Sequence, residues 1–150
     1  MLSYGLVFVP TLLSYLFQFI FPSNFDDNKK VFFQPPGYVF AINWTIIYLL
    51  LGIYLYRVIS AKESNPYFLF MITVYILNIS LNMAWTPMVN TYKNYKGGIF
   101  TIGLMIFTTL LLISIDSNNV NRTLLVPYLS WLVVALLLNV ELARLNHIIS

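Results

Sequence analysis

Three groups of polar and aromatic side chains interrupt otherwise apolar stretches at helical spacing. Tyr75, Asn78, Asn82 and Trp85 stand at i, i+3, i+7 and i+10, one face of an α-helix. Trp44, Tyr48 and Gly52 repeat every four residues, and Tyr128, Trp131, Ala135 and Asn139 form a third stripe. Carboxamides and phenols offer hydrogen-bond donors and acceptors. Indoles add a broad π face, one N–H donor and, against a pigment, an electron-donating ring. If the three faces converge, they enclose an aromatic cavity with a few polar groups, which suits a flat, largely apolar ligand with polar substituents. The same residues have a structural use. Asparagines join helices in lipid at about 0.6–2 kcal/mol each, and Trp and Tyr form belts at membrane interfaces. Trp85, beside Pro87 near a helix end, fits a belt as well as a site.

Other chemistry is poorly represented. The chain has no cysteine, one histidine (His147) and five acids, so neither a metal site nor a thiol nucleophile is expected. Ser114, Asp116 and His147 are not placed to form a triad, and Gly97-Gly98 alone is no phosphate loop. No apolar stretch carries the series of charges expected of a proton pump or voltage sensor.

The elements that must position these residues follow from the charges. Of 150 residues, 59% are hydrophobic and 9% charged, against about 25% charged in soluble domains. That composition excludes a soluble enzyme and a disordered chain. A net charge of +3 without a basic stripe excludes a nucleic-acid partner. Residues 1–25, 31–56, 64–92, 97–115 and 123–140 carry no charge. Each window is near or above the ~20 residues that cross a bilayer as a helix, and in lipid the backbone must satisfy its own hydrogen bonds. The expectation is an all-α, single-domain integral membrane bundle of five transmembrane helices, near 2–21, 39–60, 66–90, 98–115 and 123–145. The partner is the lipid bilayer. Pro35-Pro36-Gly37 marks entry to the second helix, and Ser64-Asn65-Pro66 is read as an N-cap with Pro at the first helical position of the third. Gly97-Gly98 opens the fourth. Three connections are short, predicting antiparallel neighbours, whereas the first, 22–37, is long enough to be functional.

The N-terminal stretch lacks a basic n-region and an A-x-A site, so it is read as a retained span. Arg57, Lys62 and Arg122 fall on one side, and Lys29, Lys30, Lys93, Lys96 and Arg144 on the other. That count places the long loop and the C-terminus in the cytoplasm. Glu141 and Arg144, three apart at a helix end, suggest a local ion pair.

Pro35-Pro36-Gly37-Tyr38-Val39, followed by Trp44, Tyr48 and Gly52, resembles the signature of the TspO/MBR family, the translocator proteins and tryptophan-rich sensory proteins. Leu81-Asn82-Met83-Ala84-Trp85-Thr86-Pro87 is similar to that family's third-helix motif. Leu124 to Trp131, with Asn139 and Arg144-Leu145-Asn146, is similar to its fifth-helix motif. The match runs in order from about residue 22 to 147.

The resemblance implies a five-helix bundle, usually a homodimer, that binds porphyrins and, in animal members, cholesterol and benzodiazepine-type ligands. It implies light- and oxygen-dependent breakdown of protoporphyrin IX in some bacterial members, with two tryptophans involved that fall on Trp44 and Trp131. The family's third-helix pocket positions fall on Asn82 and Trp85. Its first loop, a lid, falls on 22–37 with Phe33, Pro35 and Pro36. The ligand set expected is therefore Trp44, Tyr48, Asn82, Trp85, Tyr128, Trp131, Ala135 and Asn139. Trp44 and Trp131 are the candidate redox partners, porphyrin is ligand or substrate, and no obligatory cofactor or metal is expected. The alternatives are a carrier of porphyrin, sterol or another lipid-like ligand, and a non-catalytic interaction protein. The membrane implied is bacterial cytoplasmic or mitochondrial outer.

The chain departs from the family where Lys30-Val31 replaces Lys-Pro, in having no acid in 97–115, and in lacking a Tyr ahead of Arg144 in the sterol pattern. A formal sterol pattern, Leu51 to Arg57, occurs instead in the second helix. Sterol transport is discounted on that ground and stays only within the carrier alternative.

Overall fold

The computed structural model describes residues 3–22, 33 and 35–146. Much of the expected lid, and His147, lie outside the described residues. A 3₁₀ turn, Tyr4–Phe8, runs into α1, Val9–Ile20; then follow α2, Gly37–Ser60, α3, Phe68–Asn90, α4, Tyr95–Ile115, and α5, Asn119–Leu145. No strand occurs among the described residues.

Four of these helices, α2 to α5, are long and apolar enough to cross a membrane; the first apolar segment, Tyr4–Ile20, is shorter. Its 3₁₀ turn extends its reach. At 2.0 Å per 3₁₀ residue and 1.5 Å per α residue, the two pieces laid end to end reach about 28 Å, close to the hydrocarbon thickness. Pro10 sits in the first turn of α1, where its missing N–H costs nothing.

Local chemistry shifts several boundaries. Pro36, with extended ψ of 152°, starts α2 two residues earlier than expected, its carbonyl accepting from the N–H groups of Val39 and Phe40. Ser64 does not cap α3, because its hydroxyl turns back to Ala61 O at 3.0 Å. Asn65 instead holds the Tyr67 N–H at 2.9 Å, so Pro66 and Tyr67 form a turn and the helix begins at Phe68. Asn94 caps α4 by accepting from the Gly97 N–H, which places Gly97-Gly98 inside the first turn rather than ahead of it. Asn118 caps α5 through the N–H groups of Val120 and Asn121, four residues before the expected start. Lys93 has a φ of 51° in the tight connection between α3 and α4.

The helices pack as a ring in the order α1, α2, α5, α4, α3. Sequence neighbours α3/α4 and α4/α5 pack along their lengths. The α2/α3 pair runs antiparallel, as its short connection predicts, but barely touches through its backbones. Large side chains stand between them: the Tyr75 hydroxyl donates to Leu51 O at 2.8 Å, and the rings of Tyr54 and Tyr75 stack. Gly52 is used for a close approach. A Cβ there would lie 1.7 Å from the Val7 carbonyl oxygen, so the glycine lets the 3₁₀ turn lie on α2 instead of facing the cavity with Trp44 and Tyr48. Tyr4 stacked on Tyr56 extends that contact.

Candidate functional site

A cavity of about 290 Å³ opens among α1, α2, α3 and α5. It lies toward the end where α1 finishes, α2 begins, and α3 and α5 finish. Antiparallel packing brings these four helix ends together, and the ring order leaves α4 behind the wall. From α2 come Gly37, Phe40, Ala41, Trp44, Thr45 and Tyr48; from α3, Trp85, Thr86, Val89 and Asn90; from α5, Ala135, Leu138, Asn139 and Leu142; from α1, Ser14, Tyr15 and Gln18. None of these is charged.

The aromatic wall is ordered by ring packing. Trp44 stacks on Tyr48 at 5.3 Å and 22°, and Trp131 meets Trp44 edge-on at 6.2 Å and 87°. Phe40 touches Trp131 at 5.5 Å and 72°. These are the offset and edge-to-face arrangements that aromatic quadrupoles favour. Trp131 therefore packs edge-on against the Trp44 indole and is not among the residues that line the cavity. Its buried Nε1 has no hydrogen-bond partner among the described residues.

Across the cavity, the Trp85 Nε1 donates to Asn139 Oδ1 at 2.8 Å. Gly98 of α4 makes room for this pair, since a Cβ there would approach Asn139 Oδ1 to 3.1 Å and Trp85 Nε1 to 3.4 Å. Asn139 thus spends its carbonyl oxygen on Trp85, while its amide N–H groups donate to nothing among the described residues. At the seam between α1 and α2, the Tyr15 and Thr45 hydroxyls lie 3.0 Å apart. Asn90 donates to Phe21 O at 3.0 Å and ties the end of α3 to that of α1.

Below the floor lies a separate polar chain. The Tyr48 hydroxyl donates to Asn82 Oδ1 at 2.6 Å, and Asn82 Nδ2 donates to the Tyr128 oxygen at 3.2 Å. Tyr128 donates to Asn78 Oδ1 at 2.6 Å, and Asn78 Nδ2 reaches Thr108 at 2.7 Å and Thr109 at 3.0 Å. The chain joins α2, α3, α5 and α4, and each side chain in it is buried.

Of the expected ligand set, Trp44, Tyr48, Trp85, Ala135 and Asn139 line the cavity together. Trp131 packs against Trp44 outside the lining, and Asn82 and Tyr128 lie beneath the floor, with Tyr48 between them and the open space. Pro35 and Pro36 set the start of α2 rather than lining the cavity, and Phe33 is 42% exposed outside it. Sequence reasoning missed Phe40, which extends the Trp44–Tyr48 stripe back by four, and Thr86 and Asn90, which extend Asn82 forward by four and eight. It also missed Ser14 and Gln18, two polar residues four apart in the first apolar segment. Among the described residues, no cluster of acids and histidine is placed to hold a metal. At the C-terminal end of α5, Arg144 Nε pairs with Glu141 at 2.9 Å, the expected local ion pair.

A model of the TspO/MBR family matches residues 5–145. Protein CrtK of Rhodobacter capsulatus is 29% identical over 126 residues, covering 81% of this chain and 78% of its own length. The tryptophan-rich protein TspO of Archaeoglobus fulgidus is 30% identical, covering 79% and 76%. A tryptophan-rich sensory protein of Cereibacter sphaeroides is 28% identical, covering 81% and 76%.

Proposed function

The chain belongs to the TspO/MBR family, and from that premise we propose that it is a five-span membrane protein whose aromatic cavity binds a tetrapyrrole of the protoporphyrin IX kind. The observation that carries this reading is Trp44 in the cavity lining, stacked on Tyr48 and met edge-on by Trp131. At about 290 Å³ the cavity is at the lower bound of small-molecule pockets, roughly 300–1,000 Å³. A macrocycle therefore enters edge-first between Trp44 and the Trp85–Asn139 pair, with its remainder toward the mouth. With no cation among the described lining residues, ionised carboxylates stay at the mouth, where burying them costs least. The Asn139 amide is the donor left for a polar edge of the ligand.

The dense packing of Trp131 on Trp44 favours a second, enzymatic reading. Light excites the bound pigment, which takes one electron from the Trp44–Trp131 pair and passes it to dioxygen as superoxide. The oxidised indole then takes an electron back from the pigment, so that the pigment is the net reductant and dioxygen the oxidant. The carrier alternative needs neither light nor oxygen. A homodimer in a bacterial cytoplasmic or mitochondrial outer membrane, with the C-terminus cytoplasmic, completes the proposal.

All three tryptophans of the chain are at this site, so intrinsic fluorescence reports it directly. Titrating protoporphyrin IX into purified protein should give saturable quenching, and non-saturable quenching would overturn the binding reading. Illumination in air should bleach bound pigment faster than free pigment if the enzymatic reading holds, and at the same rate if it does not. Pigment flux into liposomes above that of empty ones would favour the carrier.

A further inference from the structure

A second cavity, of about 510 Å³, lies at the opposite end of the bundle. Its wall is the last turn of α2, the connection 61–67, the turn between α4 and α5, and the first turn of α5. Arg57 is half-buried in it. The guanidinium is held from one edge only: Nε donates to Asn121 Oδ1 at 2.6 Å, and Asn121 Nδ2 is fixed in turn by Asp116 Oδ2 at 3.0 Å. Nη2 makes one long contact, 3.4 Å, to Asn118 Oδ1. No carboxylate forms an ion pair with Arg57 among the described residues.

Asp116 is the acid in this wall and is buried. Its Oδ1 accepts from the Asn118 N–H at 2.9 Å, so both of its oxygens are engaged. Arg122 Nε donates to the Asp116 backbone carbonyl, adding a second positive charge nearby. Lys62 and Glu63, exposed on the connection, offset one another.

We infer that this cavity is a binding site for a phosphate group, supplied by the headgroup of a phospholipid. The fork formed by Nη1 and Nη2 is the edge of Arg that pairs with two oxygens of a phosphate, and here it is positioned through Nε and committed only by the long Nη2 contact to Asn118. The first turn of α5 adds its helix dipole. Two arginines against one engaged carboxylate leave the site net positive. The lipid source follows from depth. Arg57 lies at the end of an apolar helix, at headgroup level, and Tyr56 and Tyr67 beside it are the residue type of that layer. Acyl chains would then run along the apolar outside of the bundle. The site shares no lining residue with the aromatic cavity, so it stands or falls independently of the pigment reading.

The test is lipid retention by the full chain in detergent, followed by native mass spectrometry. Phosphatidylglycerol is offered against a diglucosyl diacylglycerol of matched acyl chains, which lacks phosphate. Wild type should retain phosphatidylglycerol about tenfold better, the scale of a charge-assisted hydrogen-bond pair. Arg57→Gln should lose that preference and Arg57→Lys should keep part of it. Equal retention of the two lipids by wild type, a comparison that needs no variant to fold, overturns the proposal, as does an unchanged preference in Arg57→Gln. Arg57-dependent thermal stabilisation by inorganic phosphate, without lipid preference, keeps the phosphate site and overturns the lipid as its source.

Discussion

Two regions of the bundle use the same residue types to opposite ends. Beneath the cavity floor, Asn78, Asn82, Tyr128, Thr108 and Thr109 satisfy one another across three helices and are buried. Along the cavity, Asn139, Trp85 and Tyr48 stand on neighbouring turns of the same elements and line its wall, with Asn139 as deeply buried as Asn78 and Asn82. Asn139 has spent its acceptor and kept its donors. An amide in a membrane helix is glue when its capacity is used up by other helices, and a recognition group when part of that capacity faces a cavity. Lipid makes the distinction sharp, because it offers no hydrogen bonds to a group left over.

The closed region should respond to substitution through stability and the open one through affinity. The largest stability effect is expected away from both, where Gly52 lets the 3₁₀ turn rest on α2. Gly52→Leu drives a side chain into the Val7 carbonyl, so the turn must lift away. Thermal unfolding in detergent should show a loss of about 3 kcal/mol or more, the upper end of overpacking. An unchanged melting temperature would mean that the turn does not rest on α2.

Tyr128→Phe comes next. It removes one hydroxyl that both accepts from Asn82 and donates to Asn78. Unfolding should show a loss of about 1–3 kcal/mol, the cost of buried groups left unpaired, with porphyrin affinity little changed. A large fall in affinity without loss of stability would move Tyr128 from the closed region to the open one.

Asn139→Ala should show the reverse pattern with a smaller magnitude. The Trp85 N–H loses its acceptor but borders the cavity, so stability should hold. Ligand affinity should fall about three- to tenfold, one net hydrogen bond. If stability falls instead, Asn139 is glue.

Helical spacing made the faces legible but not their depth. Trp44, Tyr48, Trp85, Ala135 and Asn139 were reachable because periods of three and four residues put them on common stripes. The same rule placed Asn82 and Tyr128 with them, since a stripe runs the length of a helix while the cavity occupies only one end. Gly52 was misplaced for a related reason: its stripe turns away from the cavity toward the 3₁₀ turn one helical turn beyond Tyr48. The contribution of α1 was illegible because Ser14 and Gln18 are isolated polar residues in a segment whose neighbours in space are set by the ring order. That order depends on which large side chains separate α2 from α3, and a single sequence does not encode it locally. Helix starts were missed by two to four residues where Asn or Pro caps preceded the apolar run.

The central claim is that the Trp44 indole, braced by Trp131, is the binding surface. Its most direct test is the dissociation constant of protoporphyrin IX for Trp44→Phe plus Trp131→Phe, with Trp85 left as the fluorescent reporter and Tyr128→Phe as the control. Affinity should be about tenfold weaker in the double variant, the worth of one to two aromatic contacts, and near wild type in Tyr128→Phe. Equal affinities in wild type and the double variant, with the fold intact, would contradict that claim.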